Sequence, residues 1–196
     1  MNAPLRRPWT QEQFFAWASS QEGRYEFDGF RPVAMTGGSV AHGVIMRNLH
    51  RALDGRLRGA CQPLGPDVGV ATIGDAIRYP DALVTCDKLV GKDMTVSGVV
   101  VLFEILSPNS GRNDRIVKVR EYAAIPSVRR YVILESTSVG LLVFERQAAG
   151  EAWKATTLTG DDTLLMPEIG IEIPVAEFYE RLDLSSDTEP EDAPSS

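Results

Sequence analysis

The fold is decided by residues 99–118, VVVLFEILSPNSGRNDRIVK, in which an apolar run gives way to a charged, helix-forming stretch. Val99–Leu106 is apolar on both of its faces, a pattern typical of a central β-strand that is covered on both sides. Pro108 ends the run, since proline cannot continue a hydrogen-bonded strand. The next residues predict a helix that ends near Ala124, and another strand follows at Arg130–Leu134.

The flanking sequence supplies further helices and strands on both sides of this unit. Upstream, the patterns predict a capped helix at Gln11–Ser19, a hairpin around Asp28-Gly29, an amphipathic helix at Val40–Arg58 and strands at Asp67–Ile73 and Ala82–Cys86. Downstream, they predict strands at Gly140–Glu145 and Ala152–Leu158 and a terminal helix at Val175–Leu182. This order indicates a mixed α/β or α+β fold, with a central mixed β-sheet flanked by helices.

Composition places the chain among soluble globular proteins. It has 196 residues, of which 43% are hydrophobic and 24% charged, values typical of a single domain. We expect this domain to span residues 1–182 and residues 183–196 to form a disordered acidic tail. No apolar run approaches the roughly 20 residues of a membrane span. The two isolated cysteines, Cys61 and Cys86, are too few for a disulfide framework or a zinc site, so we expect reduced thiols in a cytoplasmic protein.

The net charge of −7 is concentrated in the tail. Residues 183–196 contain five acidic and no basic side chains, so residues 1–182 carry 20 basic and 22 acidic ones. A nearly neutral body lacks the positive charge of a tight non-specific nucleic-acid binder. A local basic patch is still compatible with that total, because a metal site itself requires carboxylates.

Two carboxylates stand beside or within the apolar runs, Asp81 after Pro80 and Glu104 inside the central strand. A buried carboxylate is costly unless an opposite charge pairs with it or a cation binds it. Carboxylate oxygens suit a hard divalent cation such as Mg²⁺, with Mn²⁺ as an alternative. On spacing alone another interpretation stays open, in which Asp81 caps a turn and Glu104 pairs with an arginine such as Arg130.

Lys118 lies four residues after Asp114 and four before Tyr122, so the three residues form one stripe of the predicted helix. One interpretation is a solvent-exposed ion pair with Asp114, worth roughly a few tenths of a kcal/mol. If the helix instead packs beside the central strand, the Lys118 ammonium could stabilise charge on a metal-bound water or on a phosphate oxygen.

His42 and Glu26 are further candidates. His42 follows Gly37-Gly38-Ser39 in the first turn of the long predicted helix, where its ring could line a pocket, bind a substrate or cap the helix. It is eight residues from His50, so the two do not form the i, i+4 pair of a helical zinc site. Glu26 alternates with apolar neighbours in the predicted hairpin, a position typical of the polar face of a strand.

Several short motifs occur in a fixed order along the chain. They are Arg24–Gly29 (RYEFDG), Met35–Gly43 (MTGGSVAHG), Tyr79–Asp81 (YPD), Phe103–Ser110 (FEILSPNS), Asp114-Arg115 with Lys118, Tyr122, and Arg130–Ile133 (RYVI). This ordered set resembles the Uma-two family of restriction-endonuclease-like proteins, within the PD-(D/E)XK nuclease superfamily. The resemblance covers about residues 10–182.

The resemblance implies a restriction-endonuclease-like core that carries a metal-dependent nuclease site. It makes Asp81 and Glu104 the two metal-binding carboxylates. The parent motif places a lysine two residues after the second acid, but this chain has Leu106 there. Lys118 matches the lysine that the family takes from the following helix.

The resulting hypothesis is a Mg²⁺-dependent endonuclease that hydrolyses DNA phosphodiester bonds, in which His42 and Glu26 match recurring family positions and shape the site. Two alternatives stay open: a non-catalytic binding or assembly module on the same scaffold, and a phosphodiesterase acting on RNA or nucleotides. The neutral body and the acidic tail favour the module. Because cleaving two strands suits two sites, we also expect a homodimer, with apolar strands such as Gly140–Phe144 pairing between chains.

Overall fold

The computed structural model describes residues 8–35, 37–106 and 112–184, with the backbone alone for residues 112–115. The helices are α1 (Gln11–Ala18), α2 (Val40–Arg56), α3 (Arg112–Ala123) and α4 (Val175–Phe178). The strands are β1 (Tyr25–Phe27), β2 (Pro32–Ala34), β3 (Gln62–Leu64), β4 (Val70–Ala71), β5 (Ile77–Arg78), β6 (Ala82–Thr85), β7 (Val99–Leu106), β8 (Arg130–Glu135), β9 (Leu141–Glu145), β10 (Lys154–Leu158), β11 (Thr163–Met166) and β12 (Ile171–Pro174). Apart from residues 183 and 184, the predicted acidic tail lies outside the described residues.

A six-stranded mixed sheet forms the centre of the fold, in the order β10-β9-β8-β7-β6-β3. β7 and β8 are parallel, and the other neighbouring strands are antiparallel. Side chains of β7 alternate between two cores, as the apolar run predicts. Phe103 and Ile105 pack in the cluster that contains Leu49 of α2, whereas Leu102 and Leu106 pack in the cluster that contains Tyr122 of α3. The sheet is thus covered by a helix on each face.

A smaller antiparallel sheet, in the order β2-β1-β5-β4, supports the site from the side. Its hairpin turn is held by Asp28, whose Oδ1 accepts hydrogen bonds from the backbone N–H groups of Phe30 and Arg31 at 2.8 and 2.7 Å. Gly29 has a φ of +88°, and a Cβ atom there would lie 2.3 Å from the Gly74 carbonyl oxygen. Only glycine satisfies both conditions, so the predicted Asp-Gly turn fixes how β1 enters the sheet.

The expectation of reduced thiols is wrong, because Cys61 and Cys86 form a disulfide. The two residues are 25 apart in sequence, but β3 pairs with β6 so that Gln62 faces Thr85, one step from both cysteines. The expectation of a cytoplasmic location loses the support that it drew from reduced thiols. No helix in the described part of the chain has the length and apolar character that a membrane crossing requires.

The strand suggested for pairing between chains is also not available. Gly140–Phe144 corresponds to β9, which is hydrogen-bonded to β8 on one side and to β10 on the other. An interior strand has no free backbone groups for a second chain. The outer strands of this sheet are β10 and β3.

Candidate active site

The structure brings all five predicted site residues into one connected cluster. Asp81 directly precedes β6, Glu104 lies on β7, Glu26 on β1, His42 in the first turn of α2 and Lys118 on α3. His42 pairs with Asp81, and Lys118 pairs with both Glu104 and Glu26. The two groups meet on β7, where the backbone N–H of Ile105, next to Glu104, donates to Asp81. Strand pairing of β6 with β7 explains the approach of the two acids, because residue 82 lies opposite residue 103.

The Asp81 carboxylate is held from two sides. Its Oδ2 accepts a hydrogen bond from the Ile105 backbone N–H at 2.7 Å, and its Oδ1 lies 3.1 Å from His42 Nε2. The His50 ring contacts the Asp81 carbonyl oxygen at 3.3 Å. Two fixed contacts on one carboxylate pre-set its orientation. The hydrogen bond that His42 donates to Asp81 raises the pKa of His42, against the opposing effect of burial.

The His42 ring is placed by the segment before α2. Ser39 caps the helix, and its Oγ accepts a hydrogen bond from the His42 backbone N–H at 3.2 Å. A Cβ atom on Gly38 would lie 2.7–2.8 Å from ring atoms of His42, whereas one on Gly37 would have no neighbour within 4 Å. The space that Gly38 leaves is therefore occupied by the imidazole.

Gly38→Ala is expected to push the imidazole away from Asp81 and so lower the pKa of His42 toward its ordinary value. The reason is that the hydrogen bond to Asp81 is the largest cause of the raised pKa. An NMR titration of the two histidines in the chain measures the effect directly. Gly37→Ala is the matched control and should leave the His42 titration unchanged. Equal titrations for both variants and the wild type would contradict this placement.

Glu104 is buried, with 8% of its surface exposed. Its Oε1 accepts hydrogen bonds from Tyr122 Oη at 2.8 Å and from Lys118 Nζ at 3.1 Å. Burial raises the pKa of Glu104 to about 7, with further upward contributions from Asp81 and Glu26 and opposing ones from Lys118 and Tyr122. Without a bound cation this carboxyl is therefore about half protonated at neutral pH.

Lys118 lies inside the cluster rather than in solvent. Its Nζ is 3.1 Å from Glu104 Oε1 and 3.6 Å from Glu26 Oε1, and only 12% of its side chain is exposed. The side chain of Asp114, with which a solvent-exposed pair was the alternative, lies outside the described residues. Leu106, which stands where the parent motif has lysine, is 8% exposed and packs in an apolar cluster. The ammonium thus arrives from α3 instead of from the strand.

The proposed pairing of Glu104 with Arg130 is wrong. Arg130 bonds Glu145 at 2.7 Å and Glu168 at 2.6 Å. Its position on β8 faces Val101 of β7 rather than Glu104, which places the guanidinium at the other end of the strand.

Sequence reasoning missed two buried residues that belong to the cluster, Arg78 and Glu121. Arg78 Nη1 lies 3.1 Å from Glu26 Oε2, and the Arg78 guanidinium also makes two hydrogen bonds to Glu121. For Arg78, the sequence signal was weak: a charged residue stands between the apolar Ile77 and the Tyr79–Asp81 motif. Glu121 also lies three residues after Lys118, on the same side of the helix.

The charges of the cluster fit a divalent cation. It contains four carboxylates and two permanent cations: Glu26, Asp81, Glu104, Glu121, Arg78 and Lys118. With every carboxylate ionised and His42 neutral, this leaves two negative charges. Within the described residues, no group of three or more His, Cys, Asp or Glu side chains could hold a metal by itself. Asp81 and Glu104 supply carboxylate oxygens, the ligand type that Mg²⁺ takes from one or two protein side chains while it keeps several waters.

Comparison with known proteins agrees with this fold. An uncharacterized protein of Synechocystis sp., slr1290, is 28% identical over 174 residues, which cover 87% of this chain and 91% of that protein. A crystal structure from Anabaena variabilis, titled a "putative nuclease belonging to DUF820", superposes with a TM-score of 0.64 at 12% identity, over 87% of this chain and 97% of that one. The predicted fold class, a mixed sheet flanked by helices, is confirmed. The model of the Uma2 family, described as "Putative restriction endonuclease", matches residues 11–176, and the chain therefore belongs to this family.

Proposed function

We propose that the chain is a Mg²⁺-dependent endonuclease that hydrolyses DNA phosphodiester bonds. Family membership and the nuclease-like fold support a nuclease. The observation that supports catalysis most is the position of the Lys118 ammonium, 3.1 Å from Glu104 inside the buried cluster of carboxylates. An ammonium beside a candidate metal-binding acid suits phosphoryl transfer, because that reaction depends on positioning and charge stabilisation.

Each residue has a role that follows from its contacts. Asp81 and Glu104 would hold the cation, which when bound lowers the pKa of a water and neutralises charge on the phosphate. The Ile105 N–H and His42 keep the Asp81 carboxylate oriented. Lys118 donates to a phosphate oxygen or orients the attacking water. Glu26 contacts the same ammonium as Glu104 does and helps to hold it.

A non-catalytic module on the same scaffold is the second candidate. The observation that favours it is that Tyr122, Lys118, His42 and a backbone N–H already satisfy the two acids without a cation. A buried polar network that is complete on its own can serve stability alone. This candidate predicts neither metal binding nor cleavage.

We also propose that the enzyme acts as a homodimer, since two sites suit two strands. The outer strands β10 and β3 supply the free edges of the central sheet, and β10 is largely exposed. Sedimentation at micromolar concentration tests this, and a monomer in the presence of DNA would contradict it.

Calorimetric titration with Mg²⁺ and Mn²⁺ tests the proposed site. The wild type is expected to bind one of these ions, and Asp81→Ala should weaken the binding at least tenfold, as loss of a ligand or its support does. Asp54→Ala, which removes an exposed carboxylate of α2, is the control and should bind like the wild type. Equal and negligible binding in all three proteins would overturn the proposal and favour the non-catalytic module.

A further inference from the structure

Arg78 is a buried guanidinium that joins two elements of the site. It lies on β5 and is 5% exposed. Its Nε and Nη2 donate to the two carboxylate oxygens of Glu121 at 2.6 and 2.8 Å, and its Nη1 donates to Glu26 Oε2 at 3.1 Å. Such a two-pronged pair fixes relative orientation as well as distance. Buried ion pairs add little net stability, so this one is better explained by the geometry that it imposes.

Both partners of Arg78 are linked to Lys118, one through the helix and the other through a direct contact. Glu121 is on α3, three residues after Lys118, and Tyr122 beside it donates to Glu104. Glu26 contacts Lys118 directly, with 3.6 Å between Oε1 and Nζ. Arg78 therefore holds both the helix that carries the lysine and a carboxylate that the lysine contacts.

The lysine depends on such support because it comes from a helix. The four-carbon stem of lysine is flexible, so the position of its ammonium depends both on the helix and on the carboxylates that the ammonium contacts. The described start of α3 has little apolar anchoring, since Ile116 is 61% and Val117 43% exposed. Val119 and Tyr122 attach the later part of α3 to the sheet through an apolar cluster, and the polar contacts of Glu121 and Tyr122 with β5 and β7 add the attachment beside the site.

We propose that Arg78 and Glu121 form a positioning clamp that holds the Lys118 ammonium between Glu104 and Glu26. Neither residue is placed in contact with the substrate, and both act through Lys118. Their effect on cleavage rests on the proposed nuclease function. Their effect on where Lys118 lies does not, and it can be measured in the absence of DNA.

Residue-specific acetylation measures the placement of Lys118. The chain contains four lysines, Lys88, Lys92, Lys118 and Lys154, whose labelling by limiting acetylation reagent can be followed peptide by peptide. In the wild type, Lys118 should label more slowly than Lys154, whose side chain is 76% exposed. Glu121→Gln should raise the labelling of Lys118 relative to Lys154 at least about twofold, as expected for contacting residues in one network.

A matched control exists elsewhere in the chain. Glu168 makes the same two-pronged pair with a buried arginine, Arg130, which likewise bonds a second glutamate, Glu145. Glu168→Gln removes an equivalent contact away from the site and should leave the labelling of Lys118 unchanged. Where Glu121→Gln does not fold, Arg78→Lys keeps the positive charge, removes the two-pronged contact and should give the same result.

Cleavage supplies the second measurement. Glu121→Gln should lower kcat about tenfold or more with KM for DNA nearly unchanged, because the clamp acts on the transition state through Lys118. Unchanged labelling of Lys118 in Glu121→Gln and Arg78→Lys would overturn the clamp, as would an equal increase in Glu168→Gln. If the wild type cleaves no DNA, the nuclease proposal fails, and the labelling still decides whether the clamp exists.

Discussion

Replacing Lys118 with methionine is expected to lower kcat for DNA cleavage about 10²–10³-fold while changing KM little. Methionine keeps an unbranched stem of similar length, so the substitution removes the ammonium and little else. The loss corresponds to one preorganised charge-stabilising group, since Lys118 Nζ contacts Glu104 and Glu26 rather than bulk solvent. Plasmid cleavage with Mg²⁺ under saturating substrate measures it.

Metal affinity separates this role from a structural one. Lys118 donates to Glu104 Oε1, so it competes with a cation for that carboxylate. Lys118→Met should therefore bind Mg²⁺ as tightly as the wild type or more tightly, even though it cleaves poorly.

Lys154→Met makes the same chemical change at an exposed lysine of β10 and should be neutral in both assays. Cleavage by Lys118→Met within about threefold of the wild type would remove the ammonium from the mechanism.

How far the fold follows from the sequence depends on the length of each element. The bounds of β7 are those predicted, because seven apolar residues in a run of eight, interrupted only by Glu104, are typical of a covered central strand. β5 has two residues, too few for any periodicity, and the strand expected at Asp67–Ile73 shrinks to Val70–Ala71. The β11–β12 hairpin escaped prediction although its buried Leu164 and Met166 alternate with exposed residues.

The residues of the site also differ in how far the sequence predicts them. Asp81 and Glu104 stand out in sequence because each carboxylate borders or interrupts an apolar run, and the family motifs order them with Lys118. Arg78 and Glu121 do not stand out in this way, because they pair with each other across 43 residues of the chain. The disulfide is hidden for the same reason: Cys61 meets Cys86 only after β3 has paired with β6. Contacts between residues that are far apart in the chain leave no local pattern in the sequence.

Glu104→Gln is expected to stabilise the metal-free protein at pH 8 and to abolish metal-dependent cleavage. Burial raises the pKa of Glu104 to about 7, above the ordinary value of about 4.3 in an unfolded chain. The folded protein therefore retains a proton that the unfolded chain has lost in that range. The stabilising contribution of Glu104 is complete below about pH 4.3 and is lost as the pH rises through 7.

The size of the effect follows from the pKa difference. At about 1.4 kcal/mol per pH unit, ionising Glu104 in the folded state costs on the order of 3 kcal/mol by pH 8. Glutamine resembles the protonated acid and avoids this cost. The free energy of unfolding, from urea titrations without metal, should thus be similar for both proteins at pH 5 and higher for Glu104→Gln at pH 8.

Glu145→Gln is the opposing control. Burial tends to raise the pKa of Glu145, but the hydrogen bond and charge of Arg130 outweigh it and lower the pKa. This substitution should therefore destabilise the protein at pH 8, where Glu104→Gln stabilises it.

Adding Mg²⁺ completes the test, because a cation bound to ionised Glu104 offsets the cost of the buried charge. The wild type at pH 8 should gain about 2.7 kcal/mol at a concentration one hundred times Kd, and Glu104→Gln should gain almost nothing. This difference is expected of a protein in which a metal-binding carboxylate lowers the stability of the metal-free state. If Glu104→Gln is instead less stable than the wild type at pH 8 without metal, the carboxylate serves the fold, and the non-catalytic module becomes the better account of the cluster.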